Sequence, residues 1–432
     1  MTGKAPGAHS APKGKAFVVG AGLAGLSAAT ILASRGVAVT VIEAAGQAGG
    51  RCRSYYDAAI DGVIDNGNHF VLSGNRAVMD YVRAIGAEHA LIKLDEVGVS
   101  FVDFRDGARW RIAPNDGIVP FWLFDNNRRV PGTKLQDYLV LLKLLAANPG
   151  KRIADVLACK GVLWDRLLHP FFLGALNTQP EEASALLAGA IVRGTFARGG
   201  WAYRVRIAHP TLGVAFVDPA LSFLQSRGAS VKMGTRLRGL SFDGRHAMAL
   251  DTAEAALPVA LDDVVVMAVP PWSAADLIPG LTVPNDFRSI VNAHFKMPAP
   301  AGAPPMLGVI GGTAEWIFPF KDRISVTVSG ADAIVDQDRE DLAIRIWGDV
   351  SKALGITAPI PDSIPPWQIV KEKRATFAAT PDQDARRPGA KTQWHNLFLA
   401  GDWTQTGLPA TIEGALRSGE TAAALALKHL HL

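Results

Sequence analysis

Cysteine is scarce in this 432-residue sequence: Cys52 and Cys159 stand alone, far apart and without the spacing of a metal-ligand pair. That argues against a disulfide framework and a cysteine-bound metal centre, so no metal is expected and a reducing, cytoplasmic compartment fits. Charge is sparse too, at 19% of residues, with a net charge of +4 at pH 7. No run of five like charges occurs, which argues against a nucleic-acid-binding tail. The basic clusters at Arg128-Arg129, 371–374 and Arg386-Arg387 are short and read as solvated faces. Long apolar runs are missing as well. None reaches the roughly 18 uncharged residues of a spanning helix, and the nearest, 206–227, is broken by Asp218 and two prolines. Residues 1–14 lack an apolar core and read as a disordered tail, not a signal peptide.

What is present is apolar and glycine-punctuated. Hydrophobic residues make up 49% of the chain, which implies either a large buried core or a surface that meets lipid. The length allows two to three domains' worth of core. The chain is organised around residues 16–53. Residues 16–19 are a short apolar run of strand type, followed at once by Gly20-Ala21-Gly22-Leu23-Ala24-Gly25. Residues 23–35 then show apolar positions at helical spacing, Gly36 stands where a helix ends, and residues 37–42 form a second strand that runs into Glu43. A strand–turn–helix–strand unit of this kind holds a dinucleotide. Gly20 makes the tight turn, Gly22 lets the backbone approach a pyrophosphate, and Gly25 lets the helix pack on the sheet. The amides of Leu23 and Ala24 open the helix toward the phosphates. Glu43 follows Gly25 by 18 residues, where a carboxylate can bind the adenosine ribose, with Ala44 beside it. The fold class is α/β with a Rossmann-like nucleotide domain.

Gly49-Gly50-Arg51 comes soon after Glu43. This resembles the acid-to-GGR spacing of FAD-dependent amine oxidases and desaturases, not that of NAD dehydrogenases. The resemblance implies FAD, with Gly50 and Arg51 near the phosphates and the flavin. It also implies a Rossmann-like FAD-binding domain of the amine oxidase type with an interleaved α+β substrate domain. On that pattern residues 15–75, 208–272 and 392–432 form the discontinuous FAD domain. Residues 76–207 and 273–391 form the substrate domain, with a helical part facing lipid.

Further along, Asp65-Asn66-Gly67-Asn68-His69 follows a hairpin signal at Asp61-Gly62. The D-N-G-x-H segment resembles that of hydroxysqualene dehydroxylases, also called squalene-associated FAD-dependent desaturases. In related flavin oxidases the segment passes beside the flavin ring, which places Asn66, Gly67 and Asn68 there. WDRLLHPF at 164–171 and Ala-Leu-Asn-Thr at 175–178 resemble the same family. So does the end of the chain, where a strand at 397–400 runs into Gly401-Asp402 and a helix begins near Thr411. The family pattern puts Asp402 at the ribityl or pyrophosphate region. The amides of Thr411, Ile412 and Glu413 would then face the flavin pyrimidine edge, where a helix N-terminus stabilises negative charge. Leu237 matches the position whose backbone flanks the adenine. The likeness covers most of the chain and is sharpest over 17–70, 164–178 and 397–420.

The rest of the chain supplies elements and candidates. Leu135, Leu139, Leu142 and Leu145 predict a helix over 133–148, of which 133–147 is expected either to touch a membrane surface or to face the core, and residues 153–168 predict another. Helices are also expected over 76–85, 218–228 and 338–354. Strands are expected over 229–238, 264–271, 316–328 and 367–374, with a loop over 359–366. Trp110, Phe121, Trp122 and Phe124 read as core. Amine oxidases of this fold carry a lysine on the strand near residue 292; Asn292 stands there, which counts against amine oxidation.

The resemblance implies loss of water from 12-hydroxysqualene and hydride transfer from reduced FAD, giving squalene. His69 is the first candidate for the acid, with a core histidine bonded to backbone as the equal alternative. Asp165 and Asn177 are weaker candidates for orienting the hydroxyl or a water, and Asn177 can instead cap the next helix. A mechanism without a protein acid also stays open. No second G-x-G-x-x-G follows residue 25, so an external reductant or reductase is expected as partner. The other partners are an isoprenoid lipid, a membrane surface at the inner face of the cytoplasmic membrane, and other enzymes of squalene synthesis. The competing readings are an oxidative carotenoid-type desaturase, although the His-Pro-Gly element usual there is missing, an amine oxidase, and a non-catalytic prenyl-lipid carrier.

Overall fold

The computed structural model describes residues 14–94, 98–356 and 364–432. The tail expected over 1–14, apart from Gly14, and residues 359–363 of the expected loop lie outside the described residues. Two sheets position the site.

The first is a five-stranded parallel sheet in the order Ser230–Lys232, Ala38–Ile42, Lys15–Val19, Val264–Met267, Leu397–Leu399. Its central strands are continuous apolar runs because both faces are covered, as parallel sheets require; Val18, Val41 and Val266 are fully buried. The first helix, Leu23–Ser34, packs against the last, Ile412–His429. Ser27 Oγ donates to the Leu416 carbonyl at 3.0 Å. A side chain on Gly419 would overlap the Ala24 carbonyl. The two helices therefore approach as closely as backbones allow.

The second sheet has seven strands, in the order Trp367–Phe377, Phe287–Phe295, Ile324–Val328, Trp316–Pro319, Leu307–Ile310, Val99–Asp103, Arg109–Ile112. Only the contact between Leu307–Ile310 and Val99–Asp103 is parallel. Val291, Ala293, Ile317 and Val326 share a buried cluster with Leu342, Ile346 and Val350 of the Arg339–Leu354 helix, which covers one face. Residues alternating with these belong to the cluster that holds Leu168, Phe172 and Leu176.

Several expectations are corrected. The helix over 133–148 is a 3-10 turn, Leu135–Val140, continued by a short α-helix, Leu141–Leu145. The helix over 153–168 is not continuous. It holds only the turn Ile153–Asp155 and a π-helical turn, Trp164–Leu168, that feeds the helix His169–Leu176. Cys159 and Gly161 between them are left-handed, with φ of 47° and 94°, which no helix accommodates. The strand over 229–238 stops at Lys232, and Leu237–Asp243 belongs to a separate antiparallel sheet. Trp110 and Trp122 are buried, but Phe121 and Phe124 are 66% and 68% exposed. In the tight turn Phe121–Phe124 the two inner residues, Trp122 and Leu123, point inward and the flanking phenyl rings point out. Among the described residues no helix is long and apolar enough to cross a membrane.

Candidate active site

The three glycines of the first turn have separable roles. Gly20 has φ of 105°, and a Cβ there would reach within 2.5 Å of the Ala268 carbonyl. A Cβ on Gly25 would overlap the Gly20 carbonyl, so helix and strand touch there. A Cβ on Gly22 would meet nothing within 4 Å: this is the open side, where phosphates can come to the backbone. Gly22 caps the Leu23–Ser34 helix without a side chain. The amides of Leu23, Ala24 and Gly25 have no partner within the helix and point to that open side.

Glu43 ends the second strand. Its carboxylate accepts the Ala21 N–H at 2.7 Å and the Ala45 N–H at 2.8 Å. Ala44 lies between these contacts. The Gly234 and Thr235 amides bind the Ala45 and Glu43 carbonyls, both at 2.9 Å, and Leu237 follows, buried, at the head of its strand. A cavity of about 470 Å³ opens here, lined by Glu43, Ala45, Gln47, Gly50, Arg53 and Tyr55.

The flavin end is built from distant segments. Arg51 Nη2 meets Asp402 Oδ1 at 2.7 Å, and Nη1 donates to the Ala375 carbonyl at 2.5 Å. Burial opposes the Arg51 charge, but Asp402 outweighs it and holds its pKa above the ordinary arginine value. Gly401 has φ of 148°, and a Cβ there would strike the Trp403 indole; its N–H donates to Ser418 Oγ at 2.8 Å. Thr411 caps the last helix by accepting the Gly414 N–H at 3.1 Å. This leaves the amides of Ile412 and Glu413 without partners in the helix. The Glu413 carboxylate turns away and accepts the Ala77 and Val78 amides at 3.2 and 3.0 Å.

Residues 66–69 lie across the second sheet. Asn68 Nδ2 donates to the Val326 carbonyl and to Thr327 Oγ1, both at 3.2 Å, and the Asn68 N–H reaches Asn292 Oδ1 at 3.4 Å. Thr327 Oγ1 donates to Asn292 Oδ1 at 2.8 Å. A Cβ on Gly67 would lie 3.2 Å from Asn292 Nδ2 and 3.6 Å from His69 Nε2. Asn292 therefore sits directly against this segment.

Some of these partners escape sequence reading. Asn66 Nδ2 donates to Glu372 Oε2 at 3.3 Å. Arg387 is 4% exposed. It binds the Thr404 and Asp402 carbonyls, Thr406 Oγ1 and the Asp384 carboxylate, and so shapes the loop that carries Asp402. The basic clusters at 371–374 and Arg386-Arg387 are thus not simply solvated faces: Glu372 and Arg387 in them face the site. Glu315 likewise carries no signal in the sequence. Burial pushes its carboxyl up to about 7, and it accepts the Ser329 N–H at 2.7 Å.

The candidates for catalysis separate. His69 stays with Gly67 and Asn292. Burial, and then the Arg51 charge, push its imidazole down to about 4, so at pH 7 it is neutral, which counts against an imidazolium acid. Asp165 is not brought to this place: it is exposed and lines a surface cavity with Asp103, Arg105, Asp106 and Arg166. Asn177 does not cap the next helix, whose cap is Ser184. It ends the preceding one with φ of 48°. Its Oδ1 accepts the Gly330 N–H at 2.6 Å, and its Nδ2 donates to Thr376 Oγ1 at 3.0 Å and the Arg288 carbonyl at 3.4 Å. With its amide donors and acceptor engaged, it is a structural tie and not a group free to orient substrate.

Two helix N-termini, a carboxylate at the end of the second strand, an open glycine cradle and a half-buried Arg–Asp pair fit FAD. The fold and site define a flavin-dependent oxidoreductase of the Rossmann type. Residues 23–427 match the model of the flavin containing amine oxidoreductases. Solved structures with the same fold include cyclohexylamine oxidase from Brevibacterium oxydans. It has a TM-score of 0.68 at 16% identity, covering 96% of this chain and 99% of that one. An oxidoreductase from Methanosarcina mazei gives a TM-score of 0.69 at 14% identity, covering 94% and 99%. Much nearer in sequence is the hydroxysqualene dehydroxylase of Rhodopseudomonas palustris, 52% identical over 411 residues, covering 95% of this chain and 97% of that protein. That of Zymomonas mobilis is 46% identical over 412 residues, covering 95% and 99%. A probable zeta-carotene desaturase from Synechococcus elongatus is 24% identical. Within the flavin containing amine oxidoreductases, the chain belongs to the hydroxysqualene dehydroxylase family.

Proposed function

We propose that this chain removes the hydroxyl group of 12-hydroxysqualene reductively, giving squalene and water. The observation that carries the reading is the near-full-length identity of about half to proteins of that name, on a chain whose FAD-binding turn and terminal helix are intact. Reduced FAD, when bound, would supply the hydride, and the proton with which the hydroxyl leaves as water would come from solvent. The amides of Leu23 and Ala24 hold its phosphates, Glu43 its ribose, and Arg51 with Asp402 the stretch between phosphate and ring. The amides of Ile412 and Glu413 favour negative charge on the reduced ring. The Asn66–Asn292–Thr327 hydrogen bonds hold residues 66–69 rigidly against the sheet. His69 is neutral, so it orients the leaving hydroxyl by a hydrogen bond. An apolar surround keeps water from the allylic cation, and the domain of residues 76–207 and 273–391 provides it.

The lipid is drawn from a membrane surface. Ile118, Val119, Phe121, Phe124, Leu139 and Leu142 are all more than half exposed. Their two segments are joined by the Trp122–Tyr138 ring contact at 5.6 Å and by the Val130 N–H donating to the Tyr138 hydroxyl at 3.1 Å. Arg128, Arg129, Lys134 and Lys143 lie among them in sequence, an arrangement suited to an anionic interface. Electrons come from a separate reductase or carrier. NADPH alone reducing the purified protein at a catalytic rate would overturn that part.

The reaction is tested anaerobically. The bound flavin is reduced with dithionite, hydroxysqualene is added, and flavin reoxidation is followed with squalene measured by mass spectrometry. Reoxidation with squalene formed is expected. A flavin that stays reduced would overturn the reading in favour of an oxidative desaturase.

A further inference from the structure

A small three-stranded sheet, in the order Phe70–Leu72, Val205–Ala208, Leu91–Lys93, has two unlike faces. Directly paired residues on neighbouring strands point to the same side of a sheet. Ile207 pairs with Phe70 on one flank and Ile92 on the other, and Val205 pairs with Leu72. These residues share one face. The opposite face carries Val71, Leu91 and Ala208, which are buried in the cluster of the parallel sheet and its helices. Leu72, Val205 and Ile207 instead belong with the cluster that holds Leu168, Phe172 and Leu176. So does Leu94, whose N–H donates to the Val205 carbonyl at 3.4 Å. The sheet is thus a partition between two cores, and its second face is apolar throughout.

That face is only partly covered. Phe70 is 39% exposed and Ile92 44% exposed, against 8% for Ile207 between them. Leu72 and Leu94 are half-buried. A closed seam would bury the flanks with the centre, so accessible apolar surface runs along this row. One end is at the flavin site: Phe70 follows His69, and residues 66–68 are held on Asn292 and Thr327. The other end is at the exposed apolar segment that begins at Ile118. The ladder continues past the strand, with the Ser73 N–H on the Arg204 carbonyl at 2.9 Å and the Gly74 N–H on the Ala202 carbonyl at 2.7 Å. There Trp201 is exposed, and its N–H donates to the Asp116 carbonyl at 3.4 Å. Arg204 Nε donates to Asp116 Oδ1 at 2.8 Å, and a Cβ on Gly200 would overlap the Asn115 carbonyl. Residues 200–204 therefore lie against 115–116, directly before Ile118 and Val119. At about 3.3 Å per residue, the ladder from Ile207 to Ala202 is about 16 Å long.

We propose that this face is one wall of the passage by which the lipid reaches the flavin. One prenyl arm lies over Ile207 and Val205, between Phe70 and Ile92, and points toward Trp201, with the reacting carbon at His69. This rests on the hydroxysqualene reading and adds where the arm lies and from which side it enters. The wall offers a hydrocarbon no hydrogen-bonding side chain to leave unpaired. Covering the open flanks of Phe70 and Ile92 removes apolar surface of both partners from water. An accessible apolar row that adjoins a reactive centre is the form such binding grooves take.

A squalene carrying a diazirine at one terminus, bound to the holoenzyme and photolysed, reads the wall directly. Adducts are expected within residues 70–72, 92–94 or 201–207; adducts confined elsewhere, or none, overturn the assignment. Ile92→Asp provides the energetic test, because the position is exposed on an edge strand and accepts a polar group without loss of the fold. Flavin absorbance and melting temperature check this. Squalene binding, followed by tryptophan fluorescence, is expected to weaken about tenfold, and Ile92→Leu to restore it. The ratio of kcat/KM for hydroxysqualene to that for an allylic alcohol with each arm cut to a single prenyl unit is expected to fall by a similar factor. An unchanged ratio, or unchanged squalene binding, overturns the wall. Should Ile92→Asp fail to fold, Ile92→Ser and the adduct map decide. Adducts at these positions in a wild-type protein that does not convert hydroxysqualene would support the wall and overturn the dehydroxylation instead.

Discussion

Arg51 and Asp402 stand 351 positions apart, and their side chains meet at 2.7 Å. One arrives from the loop after the second strand, the other from the loop after the last strand of the same parallel sheet. The Asp402 side chain is 7% exposed and that of Arg51 is 43% exposed, so the pair is half in water. Asp402→Asn keeps the shape and removes the charge partner. It is expected to cost about 1–2 kcal/mol of stability, between the surface and buried extremes, and to weaken FAD retention at least about tenfold, since about 1.4 kcal/mol of lost binding is enough for that. The ratio of flavin to protein absorbance after gel filtration, with the melting temperature, checks it. Unchanged flavin content would mean that the pair does not serve the cofactor.

Two neighbouring glycines should fail in different ways. Gly25→Ala drives a methyl into the Gly20 carbonyl and Ala268, and should destabilise the fold by about 1–3 kcal/mol even without flavin. Gly22→Ala places its methyl in open space with φ of −74°. The flavin-free protein should then melt within about 3 °C of wild type, while FAD binds much more weakly. Thermal melts with and without FAD separate the two. Equal destabilisation by both would remove the case for a phosphate cradle at Gly22.

Membrane binding has its own test. Phe121 and Phe124 are 66% and 68% exposed, and full transfer of each ring from water is worth about 1.5–3 kcal/mol. The double substitution to serine should therefore lower partitioning to phosphatidylglycerol vesicles by at least about tenfold. Co-sedimentation measures it. Flavin content should not change. Equal sedimentation of wild type and variant would exclude this face as the contact.

What was legible in the sequence was local. The turn Gly20–Gly25 with Glu43 could be read because strand, glycines, helix and acid lie within thirty residues and each has one physical role. Asp402 and the helix after it were legible for the same reason. The partners of those residues were not. Glu372 on Asn66 and the Ala375 carbonyl on Arg51 join segments more than 300 residues apart, and Arg387 reaches the Asp402 loop 15 to 19 residues on across irregular chain, so no spacing rule links them. Asn177 was ambiguous because a left-handed helix end has no signature beyond the asparagine itself. Phe121 and Phe124 were misplaced because composition does not say which side of a single tight turn faces inward. Helices were overextended across 133–168 for a related reason: apolar residues at helical spacing also suit short turns packed on a core.

Two groups, one buried and one half-buried, pull stability in opposite directions with pH. His294 is fully buried, with Nδ1 on Ser325 Oγ at 2.8 Å. Burial, reinforced by the Arg323 charge, pushes it from 6.5 down to about 3. Between those values the unfolded chain binds the proton and the folded chain does not, so stability falls as pH drops below 6.5. Glu315 is pushed by burial from 4.5 up to about 7. Between those values the folded chain holds the extra proton, so its contribution is full below 4.5 and is lost as pH rises toward 7. Each slope approaches about 1.4 kcal/mol per pH unit when a group is fully titrating in one state only. Over pH 4.5–6.5 the two nearly cancel. Glu315→Gln should therefore uncover a steep loss of stability on acidification in that window. His294→Asn should uncover the reverse, a protein that becomes more stable as pH falls from 6.5 to 4.5. Urea unfolding at half-unit pH steps checks both, and parallel curves for the two variants would show that neither group titrates as its burial requires.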